Sequence, residues 1–229
     1  MDYRVENKYI VSDLDLAVIY KRLNSVMSMD AHQTGDSYEI RSVYFDDIYD
    51  SCMSDNDAGV DCRKKYRIRI YDPKSSPIKL EIKEKLNGLT KKTSCNITKC
   101  EWEYLLNGTD ELQFGERAPL NELLLKKKCC KMNPKTIIVY ERTAFVHPVG
   151  NVRITFDRNI MASKILDSFF DDRVDGLIPV LPTGMHVLEV KYDELLPDII
   201  AKQLEIGKLC KTAFSKYYLG RLAINGDLY

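Results

Sequence analysis

The chain has 229 residues, 45% of them apolar, enough to bury one sizeable core or a barrel with helices packed against it. Lys plus Arg equals Asp plus Glu at 34 each, which excludes a bulk field drawing the molecule onto nucleic acid or an anionic membrane, so an anion site must come from local clustering. Seven cysteines without a Cys-x-x-Cys pair argue for reduced thiols and against a cysteine-built zinc site, and no apolar run approaches the ~20 residues of a spanning helix, so a cytoplasmic protein is expected.

Val5 to Val11 alternates as a first strand and leads to Ser12, the predicted N-cap of a helix running to about Met29. Leu16, Ile19, Tyr20, Leu23, Val26 and Met27 recur there at helical spacing. Alternation then marks strands over Tyr38–Asp46, Cys62–Tyr71, Ile78–Leu86 and Leu89–Ile97, followed by helices near 98–107 and 116–131. Further strands are expected over Thr136–Val146, Asn151–Arg158 and Met185–Tyr192, with a loop over 176–184 and closing helices near 197–209 and 214–224. Turn chemistry at 72–77, 86–89 and 147–151 makes several neighbouring strands antiparallel hairpins. No repeat or linker demands a second domain, so the reading is one α+β domain over residues 1–229.

Side chains alternate across a strand, which sorts the charges. Arg4, Glu6 and Lys8 share one face, as do Arg67, Arg69 and Tyr71; Lys79, Glu81, Lys83 and Lys85; Arg153, Thr155 and Asp157; and Glu189 with Lys191. The segment from 61 to 92 carries eleven Lys and Arg against four Asp and Glu. Two arrangements explain a repeated charged face. One is an antiparallel sheet with that face in solvent. The other is a barrel of about eight strands, amphipathic helices packed outside, whose basic lumen forms an anion tunnel. Like charges on neighbouring strands repel, a pattern that a polyanion or metal-bound phosphate between them would reconcile.

His32, His147 and His186 have no metal-ligand spacing and read as surface or loop residues. Trp102 and the Phe169–Phe170 pair read as core or lid, and Lys126 to Lys128 as a solvated helix end.

Eight short stretches occur in order along the chain: RVENKY (4–9), RSVYFD (41–46), RKKYRIRIY (63–71), LEIK (80–83), YERTAF (140–145), VRITFD (152–157), LEVKY (188–192) and SKY (215–217). Together they resemble the VTC-type polyphosphate polymerase domain of the triphosphate tunnel metalloenzymes. The resemblance implies that Lys8, Arg67, Arg69, Lys83, Arg142 and Lys216 act on phosphates in the tunnel. It makes Arg153, Lys91, Tyr140 and Ser215 substrate-binding or supporting residues, Lys92 being an equally basic neighbour of Lys91. Glu189 becomes the ligand of one divalent metal, Mg²⁺ or Mn²⁺. Where the superfamily often opens with Glu-x-Glu-x-Lys, this chain has Arg4, leaving Glu6 as a possible second ligand. Asp157 reads as a salt-bridge partner.

The expected activity is metal-dependent phosphoryl transfer from ATP to a growing inorganic polyphosphate chain, with the acceptor phosphate as nucleophile. A tripolyphosphatase or nucleoside triphosphatase would use the same tunnel with water as acceptor, and a non-catalytic polyphosphate-binding module would not need Glu189. The expected partners are ATP, triphosphate and polyphosphate, with no nucleic acid and no membrane segment, although a membrane partner stays open.

Overall fold

The protein is described by a computed structural model covering residues 4–31, 33, 35–71, 77–108, 112–207 and 209–228. The chain order is β1 (Val5–Ser12), α1 (Asp13–Leu23), β2 (Ser28–Met29), β3 (Tyr38–Asp46), α2 (Ser51–Asp57), β4 (Arg63–Ile70), β5 (Ile78–Leu86), β6 (Leu89–Ile97), α3 (Lys99–Asn107) and α4 (Ala118–Cys130). It continues with β7 (Asn133–His147), β8 (Val152–Ser163), β9 (Ile178–Pro179), β10 (Met185–Tyr192), α5 (Asp198–Gln203) and α6 (Lys216–Asn225).

All the strands join one antiparallel sheet in the order β1-β10-β8-β7-β3-β4-β5-β6, with β2 added on β7 and β9 on β8. Among the described residues the ladder does not close, so the large antiparallel sheet expected is present but the barrel is not confirmed. Among the described residues the backbone link at that edge is the bridge Arg4–Thr90, beside the end strands β1 and β6. The sheet nevertheless wraps around, because Lys83 of β5 reaches Glu6 of β1 at 2.8 Å.

Apolar and charged residues part along each strand. Ile68, Ile70, Leu80 and Ile82 pack with Trp102, Leu105, Leu120, Leu123 and Leu124 of α3 and α4 in one cluster. A second cluster joins Ile19, Leu23 and Ile200 of α1 and α5 to Phe145, Ile154, Phe156, Leu188 and Val190. With the apolar faces under helices, the charged faces turn toward one another.

Helix starts follow local chemistry. Ser12 and Asp15 form a capping box on α1, and Thr98 and Glu101 form one on α3. Helix α1 ends six residues short of Met29, because the chain turns and Ser28–Met29 pairs with Val146 and Phe145 as β2. The 176–184 stretch is packed rather than free: Ile178–Pro179 forms β9, and Val180 is buried with its N–H donated to the Ile160 carbonyl. Residues 72–76 of the expected turn, and His32, lie outside the described residues. His186 is a correction: it is buried within β10, its Nε2 2.7 Å from Asp13 Oδ1.

Candidate functional site

Strand pairing assembles the charged faces into one cavity. On β4, Arg63, Lys65, Arg67 and Arg69 alternate onto the same side, and register sets Lys65 beside Lys83 and Arg67 beside Glu81 of β5. On the opposite side, Glu6 and Lys8 of β1 pair with Lys191 and Glu189 of β10. Strand β7 adds Tyr140 and Arg142, and the segment entering α6 adds Phe214, Ser215 and Lys216. The enclosed volume is about 440 Å³, in the range usual for small-molecule sites, roughly 300–1,000 Å³. Its wall carries eleven Lys and Arg against two Glu.

Two further carboxylates, both fully buried, brace the arginines. Glu81 accepts from Arg67 Nε at 2.8 Å and from Lys92 at 2.9 Å, with Arg69 Nη1 at 3.8 Å. Asp157 accepts bidentately from Arg142 at 2.6 and 2.7 Å and also pairs with Lys216. Burial alone would raise both carboxyls, but the cations outweigh it: Asp157 is pulled down to about 2, and Glu81 well below the ordinary carboxylate range. The same contacts and burial hold the Arg67 and Arg142 guanidiniums in fixed planes facing the cavity. Tyrosines finish the bracing, Tyr44 accepting from Arg67 and Tyr140 from Arg69, each at 3.0 Å. Lys216 Nζ sits 4.8 Å from the Tyr140 ring centre, and burial pushes the Tyr140 hydroxyl up to about 12.

Glu6 and Glu189 face the cavity itself and share lysines. Lys8 lies 3.3 Å from Glu6 and 3.9 Å from Glu189, while Lys191 lies 3.8 Å and 3.2 Å from them. Against burial, Lys83, Lys8 and Lys191 hold Glu6 below its ordinary value, and Lys191, Lys8 and Lys83 do the same for Glu189. The lysines thus favour the charged form of both carboxylates, while each carboxylate bears on the other. Burial depresses Lys83 to about 7 despite its contact with Glu6.

Helix α6 is anchored by contacts that also shape the wall. Ser215 caps it, accepting from the Tyr218 N–H. Tyr217 stacks on Tyr44 with ring centres 5.3 Å apart and donates to Asp46 at 2.6 Å. Asp46 in turn accepts from the Cys52 and Met53 N–H groups that open α2. Arg221 pairs bidentately with Asp50 at 2.9 Å. Gly220 is needed for close approach, since a Cβ there would lie 2.3 Å from Ile138 Cδ1 and 3.3 Å from Ala162 Cβ.

A family model for the VTC domain matches residues 3–225. The chain belongs to the VTC domain family. No curated protein matches its sequence. Among solved structures, HpAC1 from Hippeastrum, described as having a dominant triphosphatase activity, aligns with a TM-score of 0.54 at 11% identity, covering 98% of this chain and 97% of that one. PH1012 from Pyrococcus horikoshii aligns at 0.51 and 14% identity, over 97% and 99% of the two chains. PH1819 from the same organism gives 0.50 and 14%, over 95% and 97%. At such identities the likeness is one of fold.

In this VTC domain, nine of the eleven sequence-predicted site residues line this cavity together: Lys8, Arg67, Arg69, Lys83, Arg142, Lys216, Tyr140, Ser215 and Glu189. Arg153 and Lys91 are not among the lining residues. Arg153 instead pairs with Asp30 at 2.7 Å. On β6 it is Lys92 that turns to Glu81, which by alternation sets Lys91 on the other face. Among the described residues no three His, Cys, Asp or Glu side chains gather to hold a metal ion, leaving Glu6 and Glu189 as the cavity's carboxylate pair. Sequence reasoning missed Lys65, Arg63 and Asn56. The two basic residues were readable, sharing the parity of Arg67; Asn56 was not, since α2 carries no clear apolar period.

Proposed function

We propose that this chain is a metal-dependent phosphotransferase that moves the terminal phosphoryl group of ATP onto an inorganic polyphosphate chain. The observation carrying this is the cavity's basic lining: eleven Lys and Arg around about 440 Å³, with two Glu on the same wall. A linear polyanion with many non-bridging oxygens matches such a lining better than a single carboxylate or a neutral ligand does.

Arg67, Arg69 and Arg142, locked by Glu81, Tyr44, Tyr140 and Asp157, would present donors to the non-bridging oxygens and keep the donor phosphates in line with the acceptor. Lys8, Lys83 and Lys216 would add point charges that stabilise the transferring group as negative charge redistributes. The acceptor's terminal phosphate oxygen attacks the γ-phosphorus, a new P–O–P bond forms, and the bond to ADP breaks. That oxygen is already anionic near neutral pH, so no protein base is required. Glu6 and Glu189 have hard oxygen donors suited to Mg²⁺ or Mn²⁺ and would hold such an ion, which supplies Lewis-acid charge neutralisation when bound.

Incubation with ATP and Mg²⁺ or Mn²⁺, read by gel for polymer and by colour assay for free phosphate, tests this. Long polymer is the expected product. Free phosphate without polymer would move the reading to a triphosphatase with water as acceptor. Unchanged ATP, with tripolyphosphate still bound, would leave a non-catalytic binding module.

A further inference from the structure

Lys8, Lys83, Lys191 and Lys216 each have a carboxylate within 3.3 Å. Lys65 differs. Its ammonium donates to the Asn56 amide oxygen at 2.6 Å and the Ser215 hydroxyl at 2.7 Å, and it pairs with no carboxylate among the described residues. It lines the cavity one alternation before Arg67, extending the Arg67–Arg69 row.

The charged groups that act most on Lys65 are Lys8 from β1, Arg63 from its own strand and Lys83 from β5, all basic, and the Cys52 thiol of α2 opposes them. A half-buried lysine among cations, held by two neutral acceptors, lacks the counter-charge that a phosphate oxygen would bring. Asn56 and Ser215 keep its nitrogen at the cavity wall, beside the capped first turn of α6.

We propose that Lys65 is a further phosphate-binding residue of the cavity, which takes up a proton as a polyanion enters and so links substrate affinity to pH. The proposal rests on the polyanion reading above. Burial first, then Lys8, Arg63 and Lys83, depress Lys65 to about 6. Above that pH the empty site holds a mostly neutral amine. Phosphate oxygens alongside favour the ammonium, so binding draws in a proton. The affinity due to Lys65 therefore grows as pH falls toward 6 and levels off below it, where the amine is already charged.

The test is calorimetry of tripolyphosphate binding in chelator, between pH 6 and 8.5, in two buffers of different ionisation enthalpy. Comparing variants with the native protein removes the ligand's own titration. Lys65→Met is expected to weaken binding about tenfold at pH 6.5 and to abolish about one proton of uptake. Lys65→Arg, charged throughout, should keep the affinity and lose the uptake. Native affinity and uptake in Lys65→Met would overturn the proposal, as would a loss of affinity in Lys65→Arg as large as in Lys65→Met, which would make Lys65 only a tie between α2 and α6. If the native chain did not bind tripolyphosphate, the polyanion reading itself would fall.

Discussion

At the scale of single residues, carboxylates and cations of this cavity have separable duties. Glu189→Gln keeps shape but loses charge, so metal-dependent turnover should collapse while metal-free tripolyphosphate binding persists or tightens, its lysines being released to the ligand. Arg69→Ala should instead weaken that binding by about 1.5–3 kcal/mol, the scale of a charge-assisted bond in a partly buried site. Turnover assays with metal and calorimetry in chelator separate the two; full metal-dependent turnover in Glu189→Gln would remove it from the metal site. Asp157 acts differently, by holding Arg142 and Lys216 in place. Its folded value of about 2 lies below that of an unfolded aspartate, so the stability it contributes is present above about pH 4 and lost as pH falls through 2. Asp157→Asn should flatten that stretch of the acid-unfolding profile and cost about 3 kcal/mol at neutral pH, because a buried pair loses one partner. Much of this site was legible as strand parity plus motif. Parity placed Arg67, Arg69, Lys83 and Glu189 on common faces, whereas Lys91 against Lys92 was undecidable until the β5–β6 register was known.

At the scale of elements, the long alternating strands were readable because each has an apolar face under a helix and a charged face opposite. The rest was set by tertiary contacts. Helix α2 has no apolar stripe and is started by the Asp46 side chain, which also receives the Tyr217 hydroxyl from a residue 171 positions away. Helix α1 stops early where the chain turns and Ser28–Met29 pairs with β7. Helix α6 depends on Gly220, which lets it approach Ile138 and Ala162. Gly220→Val should lower stability by about 1–3 kcal/mol through overpacking. It should also weaken tripolyphosphate binding, since any shift of α6 moves Ser215 and Lys216. Thermal melts with binding isotherms check this: a destabilised variant with native affinity would uncouple α6 from the cavity.

At the scale of the whole molecule, a chain of zero net charge encloses a cavity with a large surplus of positive charge. Mutual repulsion there opposes folding until an anion arrives. Raising ionic strength from 0.1 to 1 M, which shortens the screening length from ~10 to ~3 Å, should raise the melting temperature of the unliganded protein and weaken tripolyphosphate binding. Tripolyphosphate at a hundred times its dissociation constant should add ~2.7 kcal/mol of stability. A melting temperature indifferent to both would mean that the cavity carries no net repulsion. The wrap of the sheet has a further consequence, in folding order. The cavity is completed by contacts between distant parts of the chain: Lys8 reaches the Phe214 carbonyl across 206 residues, and Lys83 reaches Glu6 across 77. Loop closure on that span is costly and late. Hairpins such as β5–β6 can form from neighbouring residues, but the anion site exists only once the two ends of the sequence have met. During refolding, tripolyphosphate binding should therefore lag behind the recovery of the circular-dichroism signal.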